Sequence, residues 1–160
     1  MLDTPGPDDV EAIVGLIERA GVFGPMDVAC VRELLDEYLS KGDHGGYEFL
    51  VFRRDGRVLG MACYGPTPLT EGTFDLYWLA VAPEARREGV GRALLDRAEA
   101  DVRRRGARML VVETSGTPSY EPARQFYLAR GYHRQATIPD FYAPADDLVI
   151  YVKRFDMPGA

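Results

Sequence analysis

The residues best suited to chemistry lie in one stretch, Tyr77–Leu95, whose pattern predicts a strand, a turn, a glycine-rich loop and a helix. Three arginines and two glycines cluster where that helix should begin: Arg86, Arg87, Gly89, Gly91 and Arg92. The first amides of a helix lack intrahelical partners, and with the helix dipole they favour an anion at that end. Glycines let an anion approach the backbone, and arginine can bind phosphate through two donors. The pattern therefore predicts a site for an anion the size of pyrophosphate.

Two other interpretations of the loop stay open on its residues alone. The first is an arginine-bearing turn whose glycines merely cap a helix. The second is a dinucleotide-binding fingerprint, because Glu113 follows the glycines by about twenty residues. Against the second, Leu94 stands at the third glycine position, and Pro83 separates the strand from the loop. An antiparallel meander also precedes the loop, where that fingerprint needs a βαβ unit. The sequence contains no Gly-Lys-Ser/Thr segment of the ATPase type.

The segment Arg86-x-x-Gly89-x-Gly91 resembles the Gln/Arg-x-x-Gly-x-Gly/Ala motif of the GNAT superfamily of N-acetyltransferases. The match extends upstream to Leu-Ala-Val-Ala-Pro83, and the downstream segment Phe126-Tyr-Leu-Ala-Arg-Gly131-Tyr looks like that superfamily's second acyl-CoA motif. The similarity covers most of the chain from Tyr47 onward. It implies a mixed α/β fold with a predominantly antiparallel sheet flanked by helices. It also implies an acetyl-CoA-dependent enzyme that transfers an acetyl group directly to a primary amine.

The resemblance implies acetyl-CoA as the cosubstrate and no metal. The glycine-rich loop would hold the pyrophosphate, and the backbone of the preceding strand would bind the pantetheine arm as an added strand does. The strands that end near Val81 and Glu113 would separate to admit that arm. The cofactor-binding residues implied in this way are Leu79, Val81, Arg86, Arg87, Gly89, Val90, Gly91 and Arg92.

The chain departs from the family pattern at two positions near this site. Glu88 occupies a loop position that is often basic or small in the family, so one favourable charge near the phosphates is missing. Tyr120 stands near the place where relatives often carry an asparagine that helps to hold the pantetheine.

Acetyl transfer to an amine needs a base for the amine proton and benefits from an acid for the departing thiolate. Tyr127 matches the family's general-acid tyrosine, and a phenol with a pKa of about 10 is a proton donor at neutral pH. Glu113 resembles the base of the ribosomal-protein acetyltransferases, and Asp75 stands where histone acetyltransferases carry a glutamate. Each role has an alternative. Tyr127 could be an aromatic ring packed at a helix end, and Glu113 and Asp75 could be solvated carboxylates at strand ends. A water chain could then accept the proton without a dedicated base.

Hydrophobic periodicity predicts the elements that must position these residues, in the order α-α-β-β-β-α-β-α-β-β. Asp55-Gly56 is a strong hairpin signal, and the apolar run at 109–112 is typical of a strand buried on both faces. Asp146 and Asp147 are expected in the last loop. Helices are predicted at 7–20, after Pro25, at 89–105 and at 119–130, and strands at 47–52, 58–64, 73–81, 109–112, 132–138 and 148–155.

Composition limits the class of protein. A chain of 160 residues with 46% apolar content can bury a core without disulfides, so we expect one domain over residues 1–160. A net charge of −6 argues against a partner that is a nucleic acid or an anionic membrane. The N-terminus lacks a signal-peptide core and no run reaches the length of a membrane span, which favours the cytoplasm.

Cysteine and histidine usage argues against a metal site. Cys30 and Cys63 are expected to be reduced and partly buried, because unpaired cysteine packs like a small hydrophobic residue. The cysteines are not at metal-ligand spacing, and only His44 and His133 could join them.

The expected partner is a small-molecule or peptide amine, and the chain is expected to be a monomer or homodimer. An alternative is a non-catalytic module that binds acyl-CoA as a sensor or structural element, since fold does not fix function. Acidic and aromatic residues could also favour a cationic acceptor, although they could equally form a solvated loop. These residues are Asp140, Asp146, Asp147, Phe141 and Tyr142, with Asp43 and Glu48 farther upstream.

Overall fold

A computed structural model of the chain describes residues 1–41 and 46–156, so Asp43 and His44 lie outside the described residues. The helices in the described part are α1 (Val10–Arg19), α2 (Pro25–Ser40), α3 (Val90–Arg104) and α4 (Glu121–Ala129). The strands there are β1 (Leu2–Asp3), β2 (Glu48–Arg54), β3 (Arg57–Pro66), β4 (Thr73–Val81), β5 (Met109–Ser115), β6 (His133–Ala143) and β7 (Asp146–Arg154).

The strands form one seven-stranded sheet in the order β1-β2-β3-β4-β5-β7-β6. Strands β4 and β5 are parallel, whereas β1 with β2, β2 with β3, β5 with β7 and β6 with β7 are antiparallel. A parallel pair needs a crossover, and α3 supplies the helix that connects β4 to β5. The prediction of a mixed α/β fold with a mainly antiparallel sheet is confirmed.

The turn between β2 and β3 shows how local sequence sets this topology. Asp55 and Gly56 have φ values of 50° and 73°, as a two-residue type I′ hairpin turn requires. Farther along β3, Gly60 allows α3 to lie close to the sheet. A Cβ atom at Gly60 would be 2.8 Å from Cγ1 of Val90 and 2.9 Å from Cδ1 of Leu94.

By its internal contacts the chain divides into two compact units. Unit 1 consists of Met1–Gly65 and Tyr77–Asp101, and its core includes Ile13, Leu35 and Phe49. Unit 2 consists of Pro66–Leu76 and the chain from Val102 onward, and its core includes Leu110, Tyr132 and Tyr151. The expectation of one domain over residues 1–160 stays a prediction.

Several predicted element bounds were wrong, and the reason is side-chain alternation along the strands. Strand β5 continues to Ser115, and it is not buried on both faces: Leu110 and Val112 are buried, Met109 and Val111 are half-buried, and Glu113 is exposed. The polar residues Glu113, Thr114 and Ser115 end the apolar run without ending the strand.

The last hairpin is also longer than predicted, because its strands continue through polar residues. Asp146 and Asp147 lie in β7, not in the predicted loop, because β6 and β7 pair as far as Ala143 and Asp146. The cysteines also differ from expectation, since Cys63 is buried but Cys30 is exposed on α2.

Candidate active site

The predicted anion-binding loop lies in unit 1 and leads directly into α3. After a short 3₁₀ turn at Pro83–Ala85, Arg87 and Gly89 both have positive φ values, 62° and 81°. A non-glycine residue in this region costs on the order of 1–3 kcal/mol, and such residues cluster at ligand-binding loops. The carbonyl of Gly89 accepts the first helical bond from the amide of Ala93 at 2.9 Å. The amides that follow Gly89 are therefore the unpaired first-turn donors of a helix.

The three arginines of the loop have different surroundings. Arg86 donates through Nη2 to the carbonyl oxygen of Ala20, at 2.5 Å, so its guanidinium caps the C-terminal end of α1. Arg92 lies 3.6 Å from the carboxylate of Asp96 one helical turn later. Arg87 is exposed and makes no ion pair with any residue in the described ranges 1–41 and 46–156. Arg87 therefore has no carboxylate competing for its charge in this part of the chain, and the Arg92 side chain, which is 63% exposed, also stays accessible to an anion.

The departure at Glu88 is offset by a residue that the sequence did not identify. Arg54, at the end of β2, donates to the Glu88 carboxylate through Nη1 at 2.5 Å. Beside it Arg57 donates to Glu84 at 3.2 Å. The hairpin that Asp55-Gly56 predicted thus brings two arginines to the loop. The sequence does show that both arginines flank the predicted turn. It does not show their partners, because Glu88 and Glu84 are 34 and 27 residues away along the chain.

The remaining cofactor-binding candidates also belong to unit 1. Leu79 and Val81 are two residues apart on β4, so they lie on the same face of the strand, and both are half-buried. Val90 is 1% exposed and fixes the start of α3 in the core, whereas Gly91 is half-buried. The roles of these residues, and the expected separation of the strands past Val81 and Glu113, stay predictions.

All three catalytic candidates lie in unit 2. In the parallel pair, Asp75 of β4 is opposite Val111 of β5, and Glu113 follows Val111 by two residues. Because side chains alternate along a strand, Asp75, Val111 and Glu113 share one face of the sheet. The structure therefore brings the two candidate bases to the same face.

The two carboxylates differ in their partners. The hydroxyl of Thr67 donates to Oδ2 of Asp75 at 2.6 Å. Although part of Glu113 is exposed, desolvation by its surroundings raises its pKa, and the negative charge of Asp75 raises it further. A carboxylate with a raised pKa is better matched to accept a proton near neutral pH. This contrast favours Glu113 as the base.

Tyr127 lies on α4 and is 6% exposed. Its ring centroid is 6.3 Å from that of Tyr151 and 5.6 Å from that of Tyr132. Tyr151 is the β7 partner of Val112, so Tyr127 packs on the face of β5 that Glu113 does not share. Burial raises the pKa of the Tyr127 phenol, which keeps it protonated at neutral pH. Tyr120, near the position of the family asparagine, is the N-cap of α4.

The acidic residues of the last hairpin have structural partners. The amide of Asp140 donates to Asp147, the amide of Ala145 donates to Asp140, and the hydroxyl of Ser115 donates to Asp146 at 2.5 Å. Phe141 and Tyr142 are 53% and 48% exposed and form an edge-to-face pair. These carboxylates shape the hairpin, and a preference for a cationic acceptor stays a prediction.

Within residues 1–41 and 46–156, no group of three or more His, Cys, Asp or Glu side chains is arranged to hold a metal ion. Over the same part of the chain, no helix combines the length and apolar character needed to cross a bilayer.

The comparison with protein families decides the class of this chain. The model of the acetyltransferase (GNAT) family matches residues 23–132, which is more than half of the sequence. The chain belongs to the acetyltransferase (GNAT) family. The matched region of this GNAT protein contains the glycine-rich loop together with Asp75, Glu113 and Tyr127.

Solved structures agree with this assignment. A GNAT-family protein from Desulfovibrio desulfuricans is 42% identical, with a TM-score of 0.92 over 96% of this chain and 98% of that one. The ribosomal-protein-S18-alanine N-acetyltransferase of Escherichia coli has a TM-score of 0.79 over 99% of this chain and 96% of its own, at 20% identity. The second similarity shows a shared GNAT fold.

One curated relative is the amino-acid acetyltransferase of Ralstonia nicotianae, which is 33% identical over 90% of this chain. This chain spans only 28% of that protein. The IAA acetyltransferase of Azospirillum brasilense is 37% identical over 65% of this chain and 67% of its own length.

Proposed function

We propose that the chain is an N-acetyltransferase that moves an acetyl group from acetyl-CoA to a primary amine by direct transfer. One observation carries the proposal beyond family membership: Glu113 and Tyr127 lie on opposite faces of β5, with their pKa values raised for different reasons. Aminolysis of a thioester needs one group that accepts a proton and one that donates a proton, and a carboxylate and a phenol with these pKa directions can take the two roles.

In this reaction the amine nitrogen attacks the thioester carbonyl carbon. The new C–N bond forms, the C–S bond breaks, and two protons must move. Glu113 takes the proton that the nitrogen loses, directly or through one water. Tyr127 donates its phenolic proton to the departing thiolate sulfur and is later reprotonated. Asp75 stays the second candidate for the base.

Acetyl-CoA would bind through the residues around the start of α3. The unpaired amides that follow Gly89 and the exposed guanidinium of Arg87 suit its pyrophosphate. Arg86 would contribute through its position in the loop, since its guanidinium already binds Ala20. The complete set that we propose is Leu79, Val81, Arg86, Arg87, Gly89, Val90, Gly91 and Arg92.

The acceptor that we propose is an amine on a small molecule or a peptide. The names of the relatives include an amino-acid acetyltransferase and a ribosomal-protein acetyltransferase, and both are consistent with this class. We further propose a single domain that works in the cytoplasm, which is consistent with the unpaired cysteines Cys30 and Cys63.

A thiol-release assay over a panel of amines tests the function, with mass spectrometry to identify the acetylated product. The panel contains matched pairs of cationic and neutral amines, amino acids and N-terminal peptides, each assayed at low and high salt. We expect acetyl-CoA-dependent thiol release with at least one amine, and an increase in melting temperature with CoA. Absence of both effects at millimolar CoA and acetyl-CoA would overturn the proposal.

A further inference from the structure

Arg124 links helix α4 to the end of β5. Its Nη1 atom donates to the carbonyl oxygens of Ser115 and Thr117, at 2.7 Å and 2.8 Å, and its Nη2 atom donates to the carboxylate of Glu121 at 2.5 Å. The Arg124 side chain is 12% exposed. A planar guanidinium holds its donors in a fixed fork, so one side chain can bind both carbonyls and the carboxylate at once. The three bonds therefore hold the first turn of α4 against the last residue of β5.

The segment between β5 and α4 is also bound to the sheet. The amide of Gly116 donates to the carbonyl of Asp147 on β7 at 2.8 Å, and the hydroxyl of Ser115 donates to Asp146 at 2.5 Å. These bonds hold the start of the segment to β7 without a contribution from Arg124. Loss of the Arg124 bonds should therefore release the helix rather than the strand.

Tyr127 follows Arg124 by three residues on the nine-residue helix α4. Residues three apart are neighbours on one helix face, so a tilt of the first turn of α4 also moves Tyr127. The Tyr127 ring lies 5.6 Å from the ring of Tyr132 and 6.3 Å from the ring of Tyr151, between centroids. Aromatic pairs are stable over centroid distances of about 4.5–7 Å, whereas a proton donor must lie within hydrogen-bond distance of its acceptor. The ring contacts alone therefore do not fix the phenol oxygen, and the bonds of Arg124 add the missing restraint.

Glu113 is held in another way. It lies within β5, opposite Ile150 of β7, and the pairing of the two strands continues to Ser115 and Leu148. This pairing bonds the backbone before and after Glu113 along the strand. Loss of Arg124 should therefore displace the proposed acid and leave the proposed base in place.

We infer that Arg124 is a positioning residue of the acetyl-transfer reaction: by bonding the end of β5 to the first turn of α4, it places the Tyr127 phenol where the departing sulfur needs a proton. The inference rests on the proposed function, in which Tyr127 is the general acid. No covalent bond is made or broken at Arg124, which acts through Tyr127.

The experiment is a double-mutant cycle between Arg124 and Tyr127 in the full chain. The measured quantity is the rate constant of acetyl transfer in a single turnover, with saturating acetyl-CoA and the most active amine of the thiol-release panel. Arg124→Met removes the three bonds and keeps an unbranched side chain that favours a helix. Arg124→Lys keeps the charge and lacks the planar fork. Melting temperatures and calorimetric titration with CoA accompany the rates.

Gln125→Ala is the matched control. Gln125 donates to the same Glu121 carboxylate from the same helix, at 2.7 Å, and its substitution leaves the two carbonyl bonds of Arg124 in place. Gln125→Ala should therefore keep the wild-type rate with or without the Tyr127 hydroxyl.

In the wild-type background, Arg124→Met should slow acetyl transfer by about tenfold or more, because a displacement of about 1 Å at a reacting group is costly. In the Tyr127→Phe background, the same substitution should slow it by less than about twofold, because the group that Arg124 positions is already gone. Arg124→Lys should show the same pattern with a smaller loss. The affinity for CoA should stay unchanged, because Glu121 balances the charge of Arg124.

The inference is overturned if Arg124→Met slows acetyl transfer equally in the wild-type and Tyr127→Phe backgrounds, since the loss would then not pass through the phenol. A wild-type rate in Arg124→Met, or an equal loss in Gln125→Ala, would overturn it as well. If Arg124→Met does not fold, Arg124→Lys decides by the same criteria.

These outcomes leave the proposed function intact as long as Tyr127→Phe is itself slow. If the wild-type chain releases no thiol with any amine, the proposed function fails, and the role of Arg124 fails with it. If Tyr127→Phe is as fast as wild type, the acid is wrongly assigned and Arg124 has no phenol to position.

Discussion

Glu113 and Tyr127 lie on opposite faces of strand β5, since Tyr127 packs on Tyr151, the partner of Val112, and Glu113 is the next residue. In the mechanism that we propose, Glu113 would accept the proton of the amine and Tyr127 would donate a proton to the thiolate. Because side chains alternate along β5, the proposed base and the proposed acid do not contact each other directly.

Tyr127→Phe tests the acid. The substitution removes the proton and keeps the buried ring, so we expect turnover to fall by about 10²–10⁴ with little change in melting temperature or CoA affinity. Tyr151→Phe is the control, because it removes a hydroxyl from a neighbouring buried ring. Steady-state kinetics with chemistry as the slow step are the measurement. Equal turnover in Tyr127→Phe and wild type would contradict the assignment.

Glu113→Gln tests the base by activity. We expect a loss of about 10²–10⁴ at low pH, where the amine is protonated, and partial recovery as the amine loses its own proton at high pH. The measurement is a pH–rate profile with one acceptor. A profile of wild-type shape would point to Asp75 or to water as the proton acceptor.

The same variant has an expected effect on stability. The folded chain holds the Glu113 proton more tightly than the unfolded chain, because burial and Asp75 raise its pKa above the ordinary 4.5. Wild-type stability should therefore fall as pH rises from that value through the folded-state pKa, and Glu113→Gln should escape this loss. Thermal melts at acidic and neutral pH measure the difference, with Glu71→Gln on the exposed turn as the control. The expected stabilisation is refuted if the melting temperature of Glu113→Gln, relative to that of wild type, is no higher at neutral pH than at acidic pH.

Substitutions of the two members of the Arg54–Glu88 pair should have opposite effects on the affinity for CoA. Glu88→Gln removes a negative charge beside the loop and should tighten binding, and Arg54→Ala leaves that charge unneutralised and should weaken it. Each change should be up to about fivefold at low salt, because exposed ion pairs are weak and screened. Calorimetric titration at two salt concentrations is the measurement. Arg57→Ala is the matched control, because the partner of Arg57 is Glu84. If Arg57→Ala weakens CoA binding as much as Arg54→Ala does, the effect comes from the net charge of the surface and not from the Arg54–Glu88 pair.

Gly60→Ala should destabilise the chain by about 1–3 kcal/mol through overpacking. The added methyl group would meet Val90 and Leu94 at 2.8 Å and 2.9 Å, and the Ala80 carbonyl at 3.3 Å. Gly15→Ala, in the interior of α1, should instead stabilise by about 0.5–1 kcal/mol, because its nearest atom, Nη1 of Arg19, is 3.5 Å away. Denaturant unfolding measures both. A Gly60→Ala variant as stable as wild type would show that α3 can shift without cost.

The element order from α1 onward and the glycine-rich loop were predictable because they depend on local patterns, whereas the predicted order lacked the two-residue strand β1 that precedes α1. Asp55-Gly56 specifies a tight turn, and Gly89 marks the start of α3. The length of β5 and β7 was not predictable from hydrophobicity. Glu113 and Asp146 are polar yet lie within strands, because one face of each strand is only partly covered.

Side-chain partners distant in sequence were not predictable either. Arg86 was interpreted as a phosphate ligand, and its guanidinium binds a carbonyl 66 residues away. Nothing local to Thr67 indicated that its hydroxyl would reach Asp75, because both lie beside a turn whose shape depends on the sheet. Such contacts depend on three-dimensional packing, which residue spacing does not encode.

The bond from Arg86 to the Ala20 carbonyl ties the loop to the last turn of α1. Two segments joined in this way should open together, so local fluctuations at the start of α3 and at the end of α1 should be correlated. Acetyl-CoA bound at the loop should then slow hydrogen–deuterium exchange of the amides of α1 near Ala20 through the Arg86–Ala20 bond. In Arg86→Ala that remote protection should disappear while protection of the loop itself persists.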